Sequence, residues 1–281
     1  MRRAWIVAGI CTVAGAFAVV GVGLALRSTP VLRADPPPPQ CLATVGTQTY
    51  VLDLDQAQNA ATIAAVAKRR GLDDHAVTVA LATVMQESKL YNLDYGDRDS
   101  LGLFQQRPSQ GWGTAAQVQD PVYAANKFYD ALLTVPRWKS IPIADAAQRV
   151  QQSGFPTAYV QWEDEARAIA RVLTGEVPAG MTCSFPTGLP THATETQIRA
   201  AVQRELGSPA LGRPLPAARG WTVSSWLVAH AALFGIDEVT YAGRTWTRVT
   251  GVWTPAAAST GPATTGPATS GPVTYRLAGG G

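Results

Sequence analysis

Glu87 is the residue whose placement invites chemistry. It closes a stretch in which Val77, Ala80, Leu81, Val84 and Met85 follow helical spacing. It comes three residues after Val84 and seven after Ala80, at the margin of the face which that spacing buries. Loss of water favours the protonated form of a carboxyl group, and a general acid must hold a proton near neutrality. Breaking a glycosidic bond calls for such an acid at the leaving oxygen. A polar, acidic loop follows, Asp94-Tyr95-Gly96-Asp97-Arg98-Asp99-Ser100, then Gly102-Leu103-Phe104-Gln105-Gln106. Each of the three aspartates alone is more often a turn residue than a catalyst. Together they could also hold a cation, although their spacing is not that of an EF-hand.

Several helices must carry these residues. The pattern predicts helices over Gln56–Arg70, stopped by Gly71, and over Asp74–Lys89, capped by Asp73. Leu90–Gly113 reads as irregular. Asp120-Pro121 is a helix start, an N-cap followed by proline at the first helical position. Pro142–Gln152 and Val160–Thr174 complete the set.

Glu87-Ser88 at a helix end, with Gly102-Leu103-Phe104-Gln105 after a short loop, resembles lytic transglycosylases and goose-type lysozymes. The run Tyr95-Gly96-Asp97-Arg98 before that element looks like the goose-type pattern in particular. The resemblance spans about residues 54–174 and implies a mainly α, lysozyme-like domain. It implies Glu87 as catalytic acid and Asp97 as the carboxylate that positions water. Ser88, Tyr95, Gly102, Leu103, Phe104, Gln105, Gln106, Trp112 and Tyr159 would bind substrate. The goose-type pattern has a further Asp two residues after the Gln, where this chain has Arg107. Residues 92–129, with Gly-Asp-Arg-Asp-Ser and Gln-Gln-Arg-Pro-Ser-Gln-Gly-Trp-Gly, are similar to an uncharacterised lysozyme-like group of actinobacterial cell-surface proteins. The activity implied is peptidoglycan glycan cleavage, hydrolytic or transglycosylating, with peptidoglycan strands as partner and no cofactor. The alternative is a lysozyme-like protein that binds the wall, or acts as a scaffold, without turnover.

Export is expected from the first residues. Arg2 and Arg3 precede Ala4–Leu26, which is 23 residues without a charge. A helix of that length, at about 1.5 Å per residue, spans a hydrocarbon core of about 30 Å. The flanking arginines place the remainder outside the cytoplasm. Residues 1–26 therefore read as a membrane anchor, or as a signal cleaved near Gly23-Leu24-Ala25. Cys11 within this stretch reads as packing. Residues 27–40 form a spacer with Pro36-Pro37-Pro38-Pro39. In an oxidising compartment, Cys41 and Cys183 are expected to form a disulfide around the domain 41–183.

A linker, 184–193, leads to a small α+β module, 194–281. Thr194 and Gln197 have the spacing of a capping box for a helix to about Leu206. Pro209–Arg219 reads as loop and Trp221–Phe234 as helix. Glu238–Tyr241 and Arg244–Val249 alternate like strands around an Ala242-Gly243 turn. The repeats within 254–272 read as solvated low-complexity chain. Around Trp226 and His230 the module is weakly similar to one found behind cell-wall hydrolase domains and related to zinc peptidases. The metal ligands of those peptidases have no counterpart here, so a non-catalytic role, wall binding or a protein contact, is implied. His75, His192 and His230 are scattered, and no metal site is expected. Net charge is +3, −3 and +3 over residues 1–40, 41–183 and 184–281, so no part is basic enough to suggest a nucleic-acid partner.

Overall fold

A computed structural model describes residues 38–155, 157–186, 193–207, 211–256 and 270–279. The expected anchor, Cys11, most of the spacer, His192 and the repeats lie outside these residues. Among the described residues no helix is long and apolar enough to cross a membrane.

The architecture is mixed α/β. A hairpin comes first, β1 (Gln40–Val45) and β2 (Gln48–Leu52), turning at Gly46, whose φ is +60°. Helices α1 (Leu54–Arg69) and α2 (Asp74–Glu87) follow. Asp53 caps α1 by accepting from the Gln56 amide at 2.8 Å, and the Gln56 side chain accepts from the Asp53 amide at 3.0 Å. The helix expected to reach Lys89 ends at Glu87, because Lys89 and Leu90 both adopt the left-handed conformation, φ 55° and 65°. Next come the short α3 (Ala115–Val118), α4 (Pro121–Thr134), α5 (Ile143–Gln151) and α6 (Glu163–Leu173). Asp120 caps α4 through the Val122 and Tyr123 amides. Helix α2 is buried along most of its length and is packed against α1, α4, α5 and α6. Strand β3 (Met181–Ser184) returns to β1, giving the antiparallel order β2-β1-β3. Cys41 faces Cys183 across that pairing, and the two form a disulfide.

Helix α7 (Glu195–Leu206) has the Thr194–Gln197 capping box. A two-residue strand, β4 (Leu215–Pro216), leads into α8 (Ala217–Ala229) and the short α9 (Ala231–Phe234). The helix expected over Trp221–Phe234 thus begins earlier and breaks at His230. Strands β5 (Ile236–Tyr241) and β6 (Arg244–Thr247) turn through Ala242 and Gly243, both at positive φ. They join β7 (Trp253–Pro255) and β9 (Thr274–Leu277) in the order β7-β6-β5-β9, and β8 (Ser270–Gly271) pairs with β4. Both ends of the stretch expected to be low-complexity and solvated are therefore in strands.

The 41–183 and 194–281 segments share one hydrophobic core. Helix α8 is buried against α1, α6, β3 and β5. Ser225 donates to the Val172 carbonyl at 3.2 Å, and the Trp253 indole to Met181 O at 2.8 Å. Gly175, at φ +81°, sits so close to α8 that a Cβ would fall 2.0 Å from Ala218 O. Only glycine meets both conditions.

His230 lies within this seam, 1% exposed. Its Nδ1 donates to Trp226 O at 2.9 Å, which leaves Nε2 as acceptor, 3.5 Å from Thr62 Oγ1 of α1 and 3.9 Å from Glu205 Oε2 of α7. Trp226 and Phe234 stack on the ring, and the Trp226 indole donates to Glu205 at 2.7 Å. Burial pushes the imidazole pKa below 6.5, against the pull of Glu205. The unfolded chain therefore takes up this proton first as pH falls, so the contribution is complete above about pH 6.5 and is lost below it. Unfolding free energies from urea titrations between pH 7.5 and 5 are expected to fall by up to about 1.4 kcal/mol per pH unit from this group. His230→Phe is expected to flatten that slope relative to wild type.

Candidate active site

Glu87 is the last residue of α2, half-buried, and its Oε1 accepts a hydrogen bond of 2.7 Å from the Tyr159 hydroxyl. Tyr159 is 0% exposed. Burial and the neighbouring Glu87 carboxylate both push its phenol pKa far above the usual range, so it is a permanent donor. Two further contacts fix the helix end. Gln86 Oε1 accepts from the Trp162 indole at 2.9 Å and from Gln161 Nε2 at 3.2 Å.

The turn after Glu87 is braced from α1. Gln56 Nε2 donates to Lys89 O at 2.9 Å and Asn59 Nδ2 to Leu90 O at 2.8 Å. These bonds hold the carbonyls of the two left-handed residues, a conformation unfavourable for side chains with a Cβ. Lys89 extends its ammonium over the Trp162 ring, 4.0 Å from the centroid. Burial lowers its pKa, and Glu87 partly offsets that.

Ser88 connects Glu87 to the second half of the motif. Its buried hydroxyl donates to Leu103 O at 2.7 Å. Leu101 and Gln106 pair through two backbone hydrogen bonds of 3.1 Å and close the Gly102–Gln105 turn. Gly102 is at φ +77°, and a Cβ there would lie 2.3 Å from Val118 O. Gln105 donates to Tyr95 O and Gly102 O, each at 3.2 Å. A Cβ on Gly96 would come within 2.0 Å of Gln105 Oε1. The glycine of Tyr95-Gly96-Asp97-Arg98 is therefore the space into which Gln105 locks, which couples the two motif halves physically. From α5, Gln151 Nε2 donates to Phe104 O at 2.8 Å.

Burial divides the residues expected to contact substrate into two groups. The side chains of Ser88, Leu103, Phe104, Gln106 and Tyr159 are buried, and Gly102 has none to offer. Phe104 turns inward because it stacks on Phe128 of α4 at 4.7 Å, and Gln106 because it donates to Ala124 O at 3.2 Å. These residues build the wall from within. Tyr95, 68% exposed, and the half-buried Gln105 and Trp112 remain in reach of a ligand.

The loop aspartates separate. Asp97 is exposed, with a side chain 93% accessible, and its ion-pair partner among the described residues is Arg98 at 3.9 Å. Asp99 accepts from the Ser109 amide at 2.7 Å and from Arg107 Nε at 2.8 Å, and these contacts hold its carboxyl well below the usual range. Arg107, where the goose-type pattern has an acid, is thus a strut for the 99–109 loop. Asp94 lines a separate groove with Asp55. Another groove, about 290 Å³, lies between β2, α1 and the Trp162 turn, lined by Met85, Lys89 and Glu165 among others. Glu87 lines neither groove.

Sequence reasoning missed the braces Gln56, Asn59, Gln86, Gln151 and Trp162. A signal was present for two of them: Gln56 and Asn59 are polar residues on the inward side of an alanine-rich helix. No protein-family model matches the chain, and no curated protein matches it either.

Proposed function

We propose that the chain is an extracytoplasmic, membrane-held peptidoglycan glycosidase of the lytic transglycosylase type, with Glu87 as general acid and base. The supporting observation is the Tyr159–Glu87 hydrogen bond at the end of a helix held by the Gly102–Gln105 turn. Because Tyr159 occupies Oε1, the acid proton belongs on Oε2. Glu87 gives that proton to the glycosidic oxygen as the bond to the anomeric carbon breaks. The muramyl 6-hydroxyl then attacks that carbon and returns its proton to Glu87, leaving an anhydro sugar. The exposed Asp97, paired with Arg98, favours this one-carboxylate route over one with an ordered water.

The test is incubation of the full chain with purified peptidoglycan, followed by mass spectrometry of the released fragments. Anhydro ends are expected, and reducing ends would overturn the transglycosylase assignment. The second reading, wall binding without turnover, is favoured by Arg107, which is paired with Asp99 at 2.8 Å where the goose-type pattern has an acid. Cosedimentation with wall material and no release of fragments would establish it.

Tyr159 acts through Glu87 and is a positioning residue. A hydrogen bond to a charged group contributes about 1.5–3 kcal/mol. Tyr159→Phe is expected to lower kcat about 10–100-fold with KM nearly unchanged. A loss confined to KM would instead place the hydroxyl on the substrate.

A further inference from the structure

We propose a second binding site, independent of the Glu87 reading: the pocket between β9 and α7 takes a neutral pyranose sugar, with the Tyr275 hydroxyl as its buried contact. Val273, Tyr275 and Leu277 are every second residue, so they share one face of the strand. Glu195 and Arg199 are one turn apart on α7. Together with Leu211 these residues line a pocket of about 290 Å³, room for one monosaccharide. Val273 is buried, and Leu211 and Leu277 are half-buried against the core, so the walls are largely aliphatic.

Tyr275 is the decisive residue. Its hydroxyl oxygen is buried and has no hydrogen-bond partner. A buried polar group left unpaired is costly, and native structures normally supply a partner. Burial raises the phenol pKa, Glu195 adds to that and Arg199 opposes it. Both charges therefore act on the hydroxyl, which puts it at the polar end of the pocket. There Arg199 Nε and Nη2 both donate to Glu195 Oε1, at 2.9 and 2.6 Å, and leave Oε2 open. The ion pair neutralises itself, so the pocket favours neither an anion nor a cation. Its unmet groups are a hydroxyl that can donate and accept and a carboxylate oxygen that accepts. Neighbouring hydroxyls on one edge of a pyranose donate and accept side by side, and the C–H face of the ring packs on aliphatic walls. An extended peptide is the poorer match, because its N–H and C=O groups point to opposite sides.

The experiment uses the full chain labelled with nitrogen-15. N-acetylglucosamine is titrated in parallel with Nα-acetyl-alanine methylamide, a neutral peptide unit. The backbone amides of Gly212 and Thr274, which line the pocket, are expected to shift saturably with the sugar and to stay in place with the peptide unit. Tyr275→Phe is expected to weaken the sugar about threefold to tenfold at these signals, the loss of one neutral hydrogen bond. It removes a hydroxyl bonded to nothing in the protein, so the Tm without sugar is expected to hold or rise. A lower Tm would give the hydroxyl a partner within the fold and overturn the proposal. Equal shifts with the peptide unit would overturn it in favour of a peptide ligand, and no shift with either probe would overturn it outright. The shifts are expected to persist in Glu87→Gln, and the Gln105 side-chain amide reports separately on the Glu87 site, so failure of one reading is distinct from failure of the other.

Discussion

Glu87→Gln is expected to leave the protein folded and to reduce glycan cleavage about 10²–10⁴-fold, the range that a positioned general acid contributes. The substitution keeps the size of the side chain and its Oε1, so the Tyr159 hydroxyl retains its acceptor. The helix end also stays fixed, because Gln86, Ser88 and the Lys89 and Leu90 carbonyls hold it through bonds that do not involve the carboxylate. What disappears is the proton that the leaving oxygen requires. Asp97→Asn makes the informative comparison. Asp97 is exposed and pairs with Arg98, so its loss is expected to leave turnover close to wild type. Release of fragments and chain stability are measured together on both variants. Cleavage that survives Glu87→Gln would move the chemistry elsewhere. Abolition by Asp97→Asn would restore a two-carboxylate, hydrolytic route.

The contrast between these carboxylates shows where the sequence was legible. Periodicity located α2 and put Glu87 at its buried margin, since helix spacing depends on local residue order alone. Asp73, Asp120 and Thr194 cap helices by contacts no more than three residues away, and such signals were read directly, whereas Asp53 was passed over and α1, expected from Gln56, starts at Leu54. The hairpin at the start was not read, although Thr-Tyr-Val-Leu after Gly46 is β-prone, because its sheet is completed only by β3, more than a hundred residues on. The site depended on contacts that local pattern does not encode. Tyr159 reaches Glu87 across 72 residues and Gln151 reaches Phe104 across 47. Hydrophobic residues of a cleft motif look alike whether they face ligand or core. The stacking of Phe104 on Phe128 decides the matter here, and it follows from the packing of α4.

Opening the Cys41–Cys183 bridge should have the largest effect on stability. The bridge joins residues separated by 142 positions. On the chain-entropy model a closed loop of that size stabilises by about 5 kcal/mol, through the freedom removed from the unfolded chain. At about 2–4 °C per kcal/mol for a chain of this size, Cys41→Ala/Cys183→Ala is expected to lower Tm by roughly 10–20 °C. Either single variant should fall as far as the double, since one cysteine alone closes no loop. The form of the transition carries the structural argument. Residues 194–279 lie outside the loop, and if they folded as an independent body calorimetry would show a second peak that the mutation leaves in place. They are instead bonded to the loop at Val172 and Met181, cover β3 with α8, and share its core. One transition is therefore expected, moving as a whole to lower temperature. A peak that persists at the wild-type temperature in the double variant would show that the seam through Ser225, Trp253 and His230 does not couple the two segments.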